Sequence, residues 1–366
     1  MPPTDPIAAV THADPYPYYA ALARERPLYR DDTLNLWVAS SPQAIAQVFA
    51  HPAARVRPPA EPVPRGLCPG PAGALFGRFV RMNDSAEHAR LKTLLRAYID
   101  SQPAPDLNGA WPLPRIDAAG VDRYLTLAPV YAQAAFMGLP PDVHGTCAAD
   151  IADFIAALPA TADAARIERA HRAAERLQAR MLAYLHAPQA GETLRRLRQD
   201  CAQAGIGMDL LAANLAGLLF QSCEAGAALL GNALVLAGRR GLRRAPPPDA
   251  ARELVAETLR IDPPIHNTRR FLADEINVDG QRIAAGQTVL LVLAAAALAQ
   301  PDTPWTFGAL GHACPGQDLA RRDAAGALAH LLRAGADAPA LAARHRYRPL
   351  PNARLPLFDC AKDAHP

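Results

Sequence analysis

The stretch from residue 210 to residue 237 constrains the fold most, because it is apolar and long enough to span a bilayer. Polar residues interrupt it, and one of them, Glu224, carries a charge near its middle. A charged side chain at that depth is costly in lipid, whereas partners inside a protein can accommodate it. The sequence therefore predicts a long buried helix in a soluble protein, with no membrane partner.

Helical patterns occur on both sides of this central helix, and short strand patterns follow it. Residues 88–99 have helical periodicity, whereas 269–272, 276–278 and 287–293 alternate with turn signals at Asp279-Gly280 and Ala285-Gly286. We find no internal repeat. These patterns predict a mainly α fold with small β-sheets, arranged as a single domain over residues 1–366.

Composition excludes several classes of protein. The six cysteines are scattered without metal-site spacing, which in a chain of 366 residues favours a reduced cytoplasmic compartment over a disulfide scaffold. The formal net charge of +3 is too small to favour nucleic acid as a partner. The sequence therefore predicts a cytoplasmic protein that acts on neither nucleic acid nor membrane.

Cys314 is the strongest candidate for chemistry. It lies in the segment FGALGHACPG (residues 307–316), just before a helix predicted to begin near Gln317. The positive end of that helix and the amide groups of a glycine-rich loop would stabilise a thiolate. Taken alone, Cys314 could also be an inert buried thiol. A zinc site with His312 would lack two further ligands nearby.

Glu257 and Arg260 are three residues apart on a predicted helix, so their side chains share a face. As an isolated pair they would form a solvated surface salt bridge. The flanking residues are apolar, and Pro263-Pro264 ends the helix.

Together these motifs resemble those of the cytochrome P450 family. Phe307, His312, Cys314 and Gly316 match its haem loop, FxxGx(H/R)xCxG, and the pair at 257 and 260 matches its ExxR helix. The resemblance covers nearly the whole chain. It implies the cytochrome P450 fold, with haem b between the long central helix and the helix after the cysteine loop. Cys314 would be the iron ligand, as in other haem-thiolate enzymes.

The resemblance also implies roles for further residues. His88 and Lys92 match a helix that reaches one haem propionate, Arg270 matches a strand arginine that reaches the other, and His312 matches a donor within the haem loop. Glu257 and Arg260 would form a buried ion pair that helps to set the haem pocket. Each of these cations could otherwise be surface charge.

Three positions or segments depart from the family pattern. Leu310 stands where the loop has a glycine, with Gly311 beside it. In the central-helix motif, A/G-G-x-D/E-T, Glu224 matches the acid but Ala225 replaces the alcohol that passes protons to oxygen. Only residues 294–306 separate the last strand of the sheet from Phe307, so most of the meander of the family is missing.

The function that the resemblance implies is oxidation of a small organic molecule, by hydroxylation or a related reaction. It would use molecular oxygen and electrons from a ferredoxin and its reductase. Two other classes remain open. One is a haem enzyme that uses peroxide or catalyses a redox-neutral reaction, and the other is a non-catalytic relative that only binds haem.

Overall fold

The computed structural model describes residues 1–102, 113–114, 120–188 and 191–358, and this part of the chain is mainly helical. Its helices are α1 (Tyr16–Glu25), α2 (Pro42–Ala50), α3 (Pro71–Phe76), α4 (Ala86–Ser101), α5 (Gly120–Phe136), α6 (Pro141–Ala156), α7 (Ala164–His186), α8 (Glu192–Gln203), α9 (Met208–Arg239), α10 (Pro248–Ile261), α11 (Leu293–Ala299), α12 (Gln317–Arg333) and α13 (Ala338–Arg344). Its strands are β1 (Leu28–Asp31), β2 (Leu36–Ala39), β3 (Ala54–Arg55), β4 (Thr268–Leu272), β5 (Ile276–Val278), β6 (Gln281–Ile283), β7 (Thr288–Leu291), β8 (Arg346–Tyr347) and β9 (Pro356–Leu357).

Local chemistry explains where several helices begin. The side chains of Ser41, Ser85 and Asp163 accept hydrogen bonds from backbone N–H groups three residues later, at the starts of α2, α4 and α7. These bonds satisfy donors that have no partner within the helix. Proline at the first position of α2 is compatible with its start, because that N–H is not needed there.

The described residues form two compact units, and each is described separately. The first contains residues 1–54, 120–128 and 224–358 of the described chain. Its main sheet has five strands in the order β1-β2-β7-β4-β3. Strand β2 is antiparallel to β1 and parallel to β7, which is antiparallel to β4.

Two apolar clusters pack on this sheet. One contains Ile45, Leu272 and Val289, and the other contains Tyr19, Val38 and Leu290. Alternate residues of β7 thus enter different clusters, as the alternation of side chains along a strand requires.

A small hairpin of β5 and β6 lies in the same unit. Its turn residues Asp279 and Gly280 both have positive φ, 47° and 77°. Positive φ at both central residues is typical of the type I′ turns that join two-residue hairpins. The turn predicted at this dipeptide is therefore present.

The second unit contains residues 55–102, 113–114, 129–188 and 191–223 of the described chain. It is helical, with α6 packed on α7 and α3 packed on α7. Asn214 ties the segment before α4 to α9, because its side chain donates to the carbonyl of Arg78 and accepts from the N–H of Val80. Asp150 is buried and bridges to Arg176 and Arg180.

Helix α9 is the long central helix predicted from the sequence. By length and composition it could cross a membrane, but 67% of its most apolar window is buried inside the protein. Such burial is typical of the core helix of a soluble protein. The assignment of the whole chain to a single domain remains a prediction.

None of the five cysteines in the described ranges forms a disulfide. Cys360, the sixth, lies outside the described residues.

Candidate functional site

The cysteine loop, residues 307–316, is built from two short 3-10 turns, Trp305–Phe307 and Leu310–His312. The N–H of Cys314 donates to the carbonyl oxygen of Phe307 at 2.8 Å. This bond closes the segment from residue 307 to residue 314 on itself. Cys314 is partly exposed.

Two residues of the loop have left-handed backbone. Gly308 has φ 72°, and a side chain there would approach the carbonyl oxygen of His312 to 3.0 Å. Leu310 has φ 54°, although it is not glycine. This conformation costs an L-residue roughly 1–2 kcal/mol. Leu310 therefore occupies the position of the family's glycine and also adopts a conformation that favours glycine.

Gly311 does not take over that role. It is not among the residues with positive φ. No atom lies within 4 Å of a Cβ added to it. Position 310 thus differs from the family pattern in its residue type only. Its backbone keeps the left-handed conformation that a glycine would favour.

The loop leads directly into α12. Gly316 is the N-cap and α12 begins at Gln317, so Cys314 lies three residues before the first helical residue. The unpaired N–H groups of a helix start favour negative charge nearby. The guanidinium of Arg321 lies 5.5 Å from the centre of the Phe307 ring and bridges to Asp318 in the first turn of α12. The start of a helix favours the thiolate form of a nearby cysteine.

Arg270 and His312 are in the same unit as the cysteine loop. Arg270 is on β4 and is only 5% exposed. Its guanidinium donates to the carbonyl of Arg269 at 2.8 Å and lies 4.8 Å from the centre of the Phe49 ring. His312 ends the second turn of the loop and is partly exposed. Their roles toward a propionate remain predictions.

His88 and Lys92 are in the other unit, one turn apart on α4. The Nδ1 atom of His88 is 2.6 Å from the hydroxyl of Ser85. Its Nε2 atom is buried without a well-directed hydrogen-bond partner in the described part of the chain. Burial lowers the pKa of His88, which the nearby Glu87 and the carbonyl of Arg78 oppose. Helix α4 thus presents an imidazole nitrogen that a ligand could satisfy.

Glu224 and Ala225 lie near the middle of α9. Residues 221, 222 and 224–226 are partly exposed, although the helix on both sides of them is largely buried. Cys223, between them, is buried. The hydroxyl of Ser222 donates to the carbonyl of Leu219 at 2.9 Å, so its proton is engaged by the backbone. The segment aligned with the family's oxygen-side motif is therefore partly accessible, although it lies in the middle of a largely buried helix.

The prediction of a buried pair of Glu257 and Arg260 is wrong. Glu257 is partly buried, and its carboxylate bridges to Arg240 at the end of α9. Arg260 is exposed and has no hydrogen bond or ion pair in the described ranges. Arg260 shares its exposure with residues 252, 253 and 256 of α10.

A different buried pair was missed. Arg354 is 1% exposed, and its Nε donates to Asp262 at 2.6 Å. The hydroxyls of Tyr16 and Tyr347 donate to the same carboxylate, and Arg354 also donates to carbonyls of the N-terminal segment. This network joins both ends of the described chain to the end of α10. Its members are far apart in sequence, so no local motif could identify it.

Comparison with solved structures supplies the fold. The chain is similar to CalO2, with 24% identity, a TM-score of 0.76 and coverage of 97% of each chain. It is similar to P450 RauA, solved with a biosynthetic intermediate of aurachin RE, with 22% identity, a TM-score of 0.72 and coverage of 97% and 96%. Cytochrome P450epoK, solved with epothilone B, matches with 17% identity, a TM-score of 0.71 and coverage of 98% and 99%. No family sequence model and no curated protein sequence matches the chain.

Proposed function

Because the chain has the cytochrome P450 fold, as predicted, we propose that it is a haem-thiolate monooxygenase that binds haem b through Cys314. The observation that carries this proposal is the cysteine loop. Its ends are joined by the bond between Cys314 and Phe307, its backbone at Leu310 is left-handed, and it ends at the start of α12. A cysteine fixed in this way just before the start of a helix is suited to be held as a thiolate.

The residues present fit a haem group. Haem carries two carboxylates, which need cations and hydrogen-bond donors when buried. Arg270 supplies a buried guanidinium, and His88 supplies a buried nitrogen without a well-directed partner in the described part. Lys92 and His312 are the other candidates to hold the propionates. A planar guanidinium can bind a carboxylate through two bonds, whereas lysine is a flexible point charge.

Bound haem would supply the oxygen-activating and redox chemistry. For this chemistry the chain must hold a proton donor beside α9. Ala225 has no hydroxyl, and the hydroxyl of Ser222 donates to the backbone. Glu224 is therefore the residue of this segment that can hold a water molecule and pass a proton through it. A hydroxyl carried by the substrate would complete the route.

We propose a small organic substrate, a cytoplasmic location, and electrons from a ferredoxin and its reductase. P450 RauA and cytochrome P450epoK were solved with small organic molecules, which supports this substrate class. The burial of α9 supports a protein that is not anchored by this helix.

The test is haem content and reducibility. Protein purified after haem-replete expression should contain one haem b per chain, and ferredoxin, its reductase and NADPH should reduce it. Arg270→Leu should lower the haem content more than Lys92→Leu. Absence of haem from the wild-type protein would refute the proposal, and equal loss in both variants would refute the propionate assignment.

Coupling tests the role of Glu224. Glu224→Ala should lower the product formed per NADPH consumed and raise the release of peroxide, with the haem spectrum unchanged. The matched control is Glu253→Ala on α10, an exposed acid outside this segment. Undiminished coupling in Glu224→Ala would rule out this proton route.

Specific observations also favour two alternative functions. Ala225 favours a peroxide-using or redox-neutral enzyme, because such a reaction does not need the missing alcohol. The exposed Arg260 and the short segment before the cysteine loop favour a non-catalytic haem-binding relative. Turnover that needs peroxide but no electron donor would identify the first. Stable haem with no turnover under either condition would identify the second.

A further inference from the structure

Two short segments of the first unit are rich in arginine. Residues 239–244 read RRGLRR and residues 344–348 read RHRYR, so eleven residues contain seven arginines and no carboxylate. The rest of the chain has 31 Lys and Arg against 35 Asp and Glu, a formal net charge of −4. The net positive charge of this protein therefore comes from these two segments.

The fold brings the two segments together. A Cβ added to Gly238, at the end of α9, would lie 2.2 Å from the carbonyl oxygen of Ala338 and 2.5 Å from Cβ of Ala342. Helix α9 therefore ends in direct contact with α13. Burial lowers the pKa of the His345 imidazole, and the positive charge of Arg239 lowers it further, so Arg239 lies close to the second segment.

All seven arginines are exposed. Among the described residues, Glu257 bridges to Arg240 and Asp337 bridges to Arg243. Arg348 also lines a surface cavity of about 270 Å³, together with Arg123 and Asp122. We call the surface of these seven arginines the arginine face. It combines dense positive charge with a depression into which a partner's side chain could fit.

We infer that the arginine face is a docking surface for a protein that presents a carboxylate-rich surface. Arginine binds carboxylates through two parallel hydrogen bonds and is enriched at protein interfaces. A long polyanion such as DNA fits less well, because the rest of the chain has a net negative charge that would repel the parts beyond the face. This inference goes beyond the proposed function, since none of these arginines is a candidate haem residue.

The test uses two probes, a fluorescent peptide of about 20 glutamates and a DNA duplex of about 20 base pairs, both at low ionic strength where charge contacts are strongest. Two double variants each reverse the charge of two arginines of the face, Arg243→Glu with Arg244→Glu and Arg346→Glu with Arg348→Glu. The control, Arg195→Glu with Arg196→Glu, makes the same change in net charge at exposed positions of α8 in the other unit.

We expect the wild type to bind the glutamate peptide, each face variant to bind it at least about 10-fold more weakly, and the control to stay within about twofold. Thermal melting of all variants should match the wild type, because the substituted side chains are exposed. Equal losses in the face variants and the control would overturn the inference, as would no binding by the wild type. Tighter binding of DNA that depends on the same arginines would also overturn it. None of these results alters the haem assignment, which haem content tests separately.

Discussion

Leu310 offers a quantitative test of the backbone of the cysteine loop. Its φ of 54° is left-handed, and its side chain is 60% exposed, so little packing offsets the cost. This conformation destabilises a protein with an L-residue at the position by about 1–2 kcal/mol. Glycine avoids that cost, but its greater freedom in the unfolded chain destabilises the folded state by about 0.5–1 kcal/mol. Leu310→Gly should therefore be more stable than Leu310→Ala by about 0.5–1 kcal/mol, since alanine keeps the strain and loses the same packing.

The assay is equilibrium unfolding by denaturant, with every variant measured at the same haem content. Gly311→Ala is the control, because residue 311 does not have positive φ and an added Cβ there meets no atom within 4 Å. This control should leave the free energy of unfolding unchanged or raise it by up to about 1 kcal/mol. If Leu310→Gly is no more stable than Leu310→Ala, or if Gly311→Ala is the destabilising change, the left-handed position is not residue 310.

Three further predictions concern buried and exposed charges. Arg260→Ala should change the free energy of unfolding by less than about 0.5 kcal/mol, because the side chain is exposed; a loss above 3 kcal/mol would restore the buried role. Arg354→Met should cost about 3–5 kcal/mol in the same measurement, because it leaves Asp262 buried without its cation; near-normal unfolding would show that this network is dispensable. Burial raises the pKa of Asp323 to about 8 against the opposing charge of Arg322, so the folded state binds more protons than the unfolded state between pH 3.8 and 8. Stability should fall as pH rises through that range, and Asp323→Asn should flatten the fall; an unchanged pH profile would place the carboxyl in solvent.

Long periodic helices and turn chemistry could be predicted well from the sequence. The apolar run gave α9, and the dipeptide Asp279-Gly280 gave the hairpin turn, because both signals are local. Helix α8 was missed, since its composition is dominated by charged residues around only a few buried ones. Helix α11 was missed because an alanine-rich run after a strand has no distinctive period.

The same distinction between local and long-range signals applies to the candidate site. The cysteine loop could be predicted because its residues are adjacent in sequence and their spacing is specific. The environment of Glu257 and Arg260 could not, because burial depends on which distant elements pack on α10, such as α12. The Arg354–Asp262 pair joins residues 92 positions apart, so only the folded chain reveals it.

The absorption spectrum of the reduced, carbon monoxide-bound protein tests the central claim most directly, because the position of its Soret band reports whether sulfur ligates the iron. The wild type should give the red-shifted band of a thiolate-ligated haem, and Cys314→Ala should abolish it. The buried Cys223→Ala is the matched control and should keep the band. A wild-type protein without this band, or a Cys314→Ala variant that retains it, would contradict the assignment of Cys314 as the iron ligand.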